Sequence, residues 1–133
     1  MKEITLDATI ENVRTLTDLI DEWLESLDCS MKAQMQIDVA IDEIFSNIAN
    51  YAYKEGAGLA TVSYDFSDGK AVISFKDSGT KFNPLEKEEP DVSLSVEERE
   101  IGGLGIFIVK KTMDEVKYAY VDGENVLTIV KTI

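Results

Sequence analysis

QIDVAIDEIFSNIANYAY, residues 36–53, decides the fold. Ile37, Ile41, Ile44 and Ile48 recur at three- and four-residue steps, so at about 100° per residue they form one apolar stripe of a helix. Phe45 and Ala52 widen the stripe on one side, and Tyr51 stands near it. Glu43, Asn47 and Asn50 lie on the opposite flank. Glu43 and Asn47 are four positions apart and therefore project side by side. A carboxylate and a carboxamide at the margin of a buried face could hold a hard cation and a nucleophile together. Mg²⁺ takes oxygen ligands, few of them from protein, and a carboxylate can accept a proton. The plain alternative is an i,i+4 polar pair bordering a solvated face.

Working outward, Ser30 has the character of an N-cap for this helix, and Gly56 and Gly58 stop it after about Lys54. Upstream, Ile10, Val13, Leu16, Ile20, Trp23, Leu24 and Leu27 repeat at helical spacing, opposite the acids Asp18, Asp21, Glu22 and Glu25. Residues 2–8 alternate as a strand, with Ile4, Leu6 and Ala8 on one face. Downstream, Leu59–Phe66 and Lys70–Lys76 read as a hairpin around Ser67-Asp68-Gly69. Regular periodicity then fails from Asp77 to Gly105, a stretch that holds both prolines and a dense run of charge. Ile106–Met113 reads as a short helix, and Glu115–Val121 and Asn125–Ile133 as a last hairpin. The order β α α β β, long loop, α β β predicts an α+β domain with its helices on one sheet face. A loop of that length in a compact domain points to a functional lid or to disorder.

Composition narrows the chemistry. The 133 residues suit a single domain over 1–133, and 44% hydrophobic content supports a packed core. Twenty-six acids against 13 bases, a net charge of −13, argue against gripping nucleic acid or an anionic membrane by charge. With no histidine, a Ser-His-Asp triad, a histidine base and a phosphoryl-accepting histidine on this chain are all excluded. The single cysteine, Cys29, cannot form an internal disulfide and reads as a bystander thiol suited to a reducing cytoplasm. No targeting or membrane-spanning segment is visible in the sequence.

Two further motifs carry potential chemistry. Asp77-Ser78-Gly79 follows a strand directly: an Asp there can accept a hydrogen bond from an amino group, and the glycine lets a ligand approach the backbone. The plain alternative is an Asx turn. Ile101-Gly102-Gly103-Leu104-Gly105 leads into an apolar helix, where exposed N–H groups and the helix dipole favour phosphate. It is neither a Walker A motif nor a dinucleotide fingerprint, and the plain alternative is a close-packed helix entry.

In their order, these motifs resemble the Bergerat ATP-binding fold, the superfamily of gyrase and the histidine kinases. The carrying stretches are QIDVAIDEIFSNIANYAY, FKDSGTKFNPLE (75–86) and GGLGIFIVKKTMDEVKY (102–118). Within it, the chain most resembles the stand-alone serine protein kinases that act as anti-sigma factors in bacterial partner-switching pathways. The resemblance implies a two-layer α/β sandwich with a mixed, mostly antiparallel sheet. It implies ATP and Mg²⁺, with Asn47 on the metal and Glu43 as the base for an attacking serine. It puts Asp77 on the adenine amino group, with Gly79 letting the base pack close. Gly102, Gly103 and Gly105 would wrap the phosphates, Thr128 would stand near Asp77, and Arg99 would reach the γ-phosphate. The lid would run from about 84 to 101.

The partners implied are a STAS-domain anti-sigma factor antagonist, phosphorylated on serine, and a sigma factor; related kinases commonly form homodimers. No nucleic acid or membrane partner is expected, and the expected location is the cytoplasm. Seven acids in the lid stretch (Glu86, Glu88, Glu89, Asp91, Glu97, Glu98, Glu100), against Lys87 and Arg99, are awkward neighbours for a triphosphate unless they face solvent. Two other readings remain open: a nucleotide-gated binding module without kinase activity, and a partner-switching kinase whose downstream target is not a sigma factor.

Overall fold

The computed structural model describes residues 2–53, 58–86 and 103–133. Strand β1 (Lys2–Asp7) is followed by helices α1 (Glu11–Ser26) and α2 (Met31–Asn47), and α2 continues as a wider π turn over Ile48–Ala52. Strands β2 (Leu59–Ser67) and β3 (Lys70–Asp77), a 3₁₀ turn at Pro84–Glu86, helix α3 (Gly103–Thr112) and strands β4 (Glu115–Val121) and β5 (Glu124–Thr132) complete the order. The strands form one five-stranded sheet in the order β1-β2-β3-β5-β4. Every pairing is antiparallel, so the mixed sheet expected from the sequence is not what these residues form.

Local chemistry accounts for the element ends. Ser30 caps α2, its hydroxyl accepting from the Ala33 N–H at 3.2 Å. Both hairpins turn on Asp-Gly pairs with positive φ, Asp68 and Gly69 at 53° and 78°, Asp122 and Gly123 at 52° and 79°, as type I′ turns require. The expected extension of α2 to Lys54 is not seen: Tyr53 is already extended, and Lys54 lies outside the described residues.

The core lies between the helices and one sheet face. Leu16, Ile20 and Leu24 of α1, and Ile37, Ile41, Ile44 and Phe45 of α2, are buried against Val62, Ile73, Phe75 and Ile129. Each such side chain stabilises the fold by about 1.5–3 kcal/mol. Trp23 packs edge-on to Tyr64, with ring centroids 4.9 Å apart. Ile10 falls in the apolar spacing but is half exposed, because it precedes the first turn of α1. Among the described residues, no helix is long and apolar enough to cross a membrane.

One polar contact lies between α1 and α2. Burial pushes the Asp38 carboxyl up to about 8, helped by Asp21 beside it and then by Asp18 and Glu25. Oδ1 of Asp21 and Oδ1 of Asp38 are both buried without a protein donor, so a proton held on Asp38 supplies the missing hydrogen bond. Burial, with Asp38 second, also pushes up the Cys29 thiol, which disfavours the reactive thiolate.

The sign for stability follows from the raised value. The folded state binds the Asp38 proton more tightly than the unfolded chain, whose Asp titrates near 3.9, so this contribution is greatest at low pH and is lost as pH rises toward about 8. Thermal unfolding of Asp38→Asn against wild type is therefore expected to show the variant gaining relative stability from pH 5 to pH 8.5. A difference that stays constant over that range would contradict the assignment.

Candidate functional site

A cavity of about 150 Å³ opens between α2 and the end of the sheet where β3 and β5 meet. Asp77 and Asn125 are the two buried polar residues of the described structure, and both line it. The β3–β5 register sets them directly opposite one another. Asn125 Nδ2 donates to Asp77 Oδ1 at 3.0 Å and to the Thr80 carbonyl at 3.0 Å. Its Oδ1 accepts from the Phe82 N–H at 3.1 Å and from the Tyr118 hydroxyl. An N–H can only donate and a carbonyl can only accept, so this set determines the orientation of the amide.

Asp77 is held from a second side. Its Oδ1 also accepts from the Gly79 N–H at 2.9 Å. The described protein donors to Asp77 thus fall on Oδ1, and Oδ2 is left for a ligand donor. The loop after Asp77 is tied to the end of α2 as well. Thr80 N–H donates to the Ala52 carbonyl at 2.8 Å, and Ser78 N–H to the Tyr53 hydroxyl at 3.1 Å.

Gly79 sits at that seam. A Cβ there would stand 2.2 Å from Ala52 O and 2.6 Å from Ala52 C, both backbone atoms that cannot simply swing aside. Gly79→Ala is expected to destabilise the protein by about 1–3 kcal/mol. Because it would push apart two walls of the cavity, it should also weaken nucleotide binding at least tenfold. Thermal unfolding with and without ATP measures both effects, and a variant matching wild type in each would refute this reading of the seam.

At the other end of the cavity stands the polar pair of α2. Asn47 lines the cavity, and its Nδ2 donates to Glu43 Oε1 at 3.2 Å. With its nitrogen so committed, Asn47 has its Oδ1 left for a hard cation. Glu43 stands one turn back, against the start of α3. A Cβ on Gly105 would lie 2.1 Å from the Glu43 carboxylate, so the glycine makes room for that group. An amide oxygen and a carboxylate are a donor set that suits Mg²⁺, which takes few protein ligands and completes its shell with water and phosphate. Among the described residues no group of three or more His, Cys, Asp and Glu could hold a metal by itself.

The structure therefore brings Asn47 and Asp77 to one cavity; outside its lining, Glu43 bonds to Asn47, Gly79 bonds to Asp77, and Gly105 lies against Glu43. Gly103 starts α3, whereas Arg99 and Gly102 lie outside the described residues, as does the expected lid beyond Glu86. Thr128 is not brought to the cavity. Leu127 and Ile129 face the core, so alternation turns Thr128 to the other sheet face, where its hydroxyl shares a 2.8 Å hydrogen bond with Ser74. Asn125 fills the place beside Asp77 that was expected for Thr128.

Sequence reasoning missed Asn125, Tyr118 and Lys81. A signal for Asn125 exists: it shares the strand phase of Leu127 and Ile129, a polar residue in an apolar row. Tyr118 gave no such signal. Lys81 lines the cavity with its ammonium 5.1 Å from the Tyr120 ring centroid, and it brings positive charge to an acidic chain.

Comparisons with known proteins bear on the family and the fold. The serine-protein kinase RsbW of Listeria monocytogenes serovar 1/2a is 32% identical over 103 residues, which cover 74% of this chain and 66% of the relative. RsbW of Bacillus mycoides is 31% identical over 93 residues, covering 67% of this chain and 58% of the relative. The chain thus spans less than two thirds of the length of these curated relatives.

Among solved structures, the RsbU and RsbW domains of a Mycobacterium tuberculosis protein superpose with a TM-score of 0.65 at 18% identity, over 98% of this chain and 32% of that one. The Acinetobacter baumannii histidine kinase AdeS gives a TM-score of 0.54 at 10% identity, over 99% of this chain and 68% of that one. Both likenesses are to the fold. Residues 6–131 match the family described as the histidine kinase-like ATPase domain, and the chain belongs to that family, whose ATPase character implies that it binds ATP.

Proposed function

We propose that this protein is an ATP-dependent serine protein kinase that phosphorylates a STAS-domain partner and sequesters a sigma factor when that partner is phosphorylated. The observation that carries the reading is the Glu43–Asn47 pair, hydrogen-bonded one turn apart on α2, with Asn47 lining the cavity that holds Asp77. Binding alone does not need a carboxylate at that point, whereas transfer to a hydroxyl does. The similarity to relatives named serine-protein kinases supports the same choice.

In this reading Asp77 Oδ2 accepts from the adenine amino group. Asn47 Oδ1 would hold Mg²⁺, and Glu43 serves as the base. The metal would supply neutralisation of charge on the phosphates. Glu43 takes the proton from the serine hydroxyl of the partner as the serine oxygen bonds to the γ-phosphorus. The bond from that phosphorus to the bridging oxygen breaks, and its electron pair leaves on ADP. Little else is required, because phosphoryl transfer depends on positioning and electrostatics.

The test is transfer of label from γ-labelled ATP, with Mg²⁺, to STAS-domain proteins of the same organism. Label on a STAS serine is expected. A nucleotide-dependent complex without label would instead favour a gated binding module, and neither label nor complex would refute the partner-switching reading. Capture of a sigma factor that depends on ATP and is relieved by the unphosphorylated STAS protein tests the second half.

A further inference from the structure

The outer crest of α2 carries an apolar stripe that the fold does not use. Met31, Met35 and Val39 are 76%, 62% and 49% exposed. They are spaced four residues apart, so they lie along one side of the helix. Most large apolar side chains of α1 and α2 are buried, which makes three exposed ones in a row on one helix unusual. The row leads toward the site, because the next position in the same step is Glu43, about 6 Å further along the helix axis from Val39. Ile37, Ile41, Ile44 and Phe45 of the same helix are buried in the core with the sheet residues, so the exposed stripe lies on the side of α2 that the core leaves free.

We propose that this stripe is the docking surface for the protein that presents the acceptor hydroxyl, and that the partner meets it with an apolar patch bordered by lysine or arginine. This rests on the kinase reading above. The basic border follows from charge. Exposed Asp28 and Asp42 bracket the stripe against the single base of α2, Lys32, on a chain of net charge −13. A second copy of this chain would bring the same carboxylates face to face, which disfavours self-association here.

The size of the patch fits a transient encounter. Two methionines and a valine fall well short of the roughly 800 Å² per partner of a stable interface, and a kinase must release its product. Methionine also adapts to the shape of its partner with little strain. A partner anchored on Met35 and Val39 would hold its hydroxyl one to two helical turns away, within reach of Glu43 and the γ-phosphate.

The test uses the full chain and the STAS-domain protein that accepts label from wild type. In Met35→Arg/Val39→Arg, KM for that protein should rise at least tenfold. ATP affinity should stay as in wild type, and Met35→Leu/Val39→Ile should restore KM. Both positions are exposed, so the fold should persist, and circular dichroism checks this. Normal transfer with unchanged KM would overturn the docking surface and leave the kinase reading intact. A wild-type dimer that the arginine variant converts to monomer would overturn it in favour of a second copy. If no STAS protein accepts label from wild type, the kinase reading fails first and this inference falls with it.

Discussion

Asp77→Asn is expected to weaken ATP binding about 100-fold while leaving the fold in place. The side chain is isosteric, and an amide oxygen can still accept from Gly79 N–H and Asn125 Nδ2, the bonds that hold the carboxylate now. Satisfying those two donors turns the new amide nitrogen toward the position of Oδ2. A ligand amino group would then meet a donor where it now finds an acceptor. A hydrogen bond to a charged partner contributes about 1.5–3 kcal/mol, and an unsatisfied buried donor adds a similar cost, so two decades of affinity is the natural scale. Calorimetric titration with ATP measures it directly. A Kd within threefold of wild type would mean that Asp77 does not contact the base.

Glu43→Gln should separate chemistry from binding. The substituted amide keeps an oxygen for the Asn47 Nδ2 that now donates to Glu43, so the position of Asn47 and the ATP affinity should change little. What is lost is the proton acceptor, and removal of a general base lowers the transfer rate by about 10²–10⁴-fold. Single-turnover transfer from γ-labelled ATP, with ATP affinity measured alongside, gives both quantities. A rate within tenfold of wild type would remove Glu43 from the base role. Gly105→Ala approaches the same group from α3: its Cβ would displace the Glu43 carboxylate that holds Asn47, at a glycine expected to border the phosphates, so the rate and the ATP affinity should fall together, unlike in Glu43→Gln.

Much of this site was legible in the sequence because it is built from local repeats. Glu43 and Asn47 share a helical turn, and their side-by-side placement follows from the pitch of the helix. The Ser30 cap, the Asp-Gly turns and the apolar stripes are equally local, since each is decided within a few residues. The end of α2 was harder to read. Its change to a π turn, and its stop at Ala52 rather than Lys54, accompany the bond from Thr80, which is far away in the chain.

The sequence by itself determined the order of the elements and the side-by-side placement of Glu43 and Asn47. Period and turn chemistry act over a few residues and leave few choices. Only the tertiary structure decided which of those side chains meet. The antiparallel register of β3 against β5 sets Asn125, and not Thr128, beside Asp77. In a strand, a shift of one residue moves a side chain to the other face, and the register between strands 48 residues apart is chosen by burial of the whole sheet. The same packing placed Gly105 against Glu43 and Gly79 against Ala52, contacts between elements that no local pattern encodes.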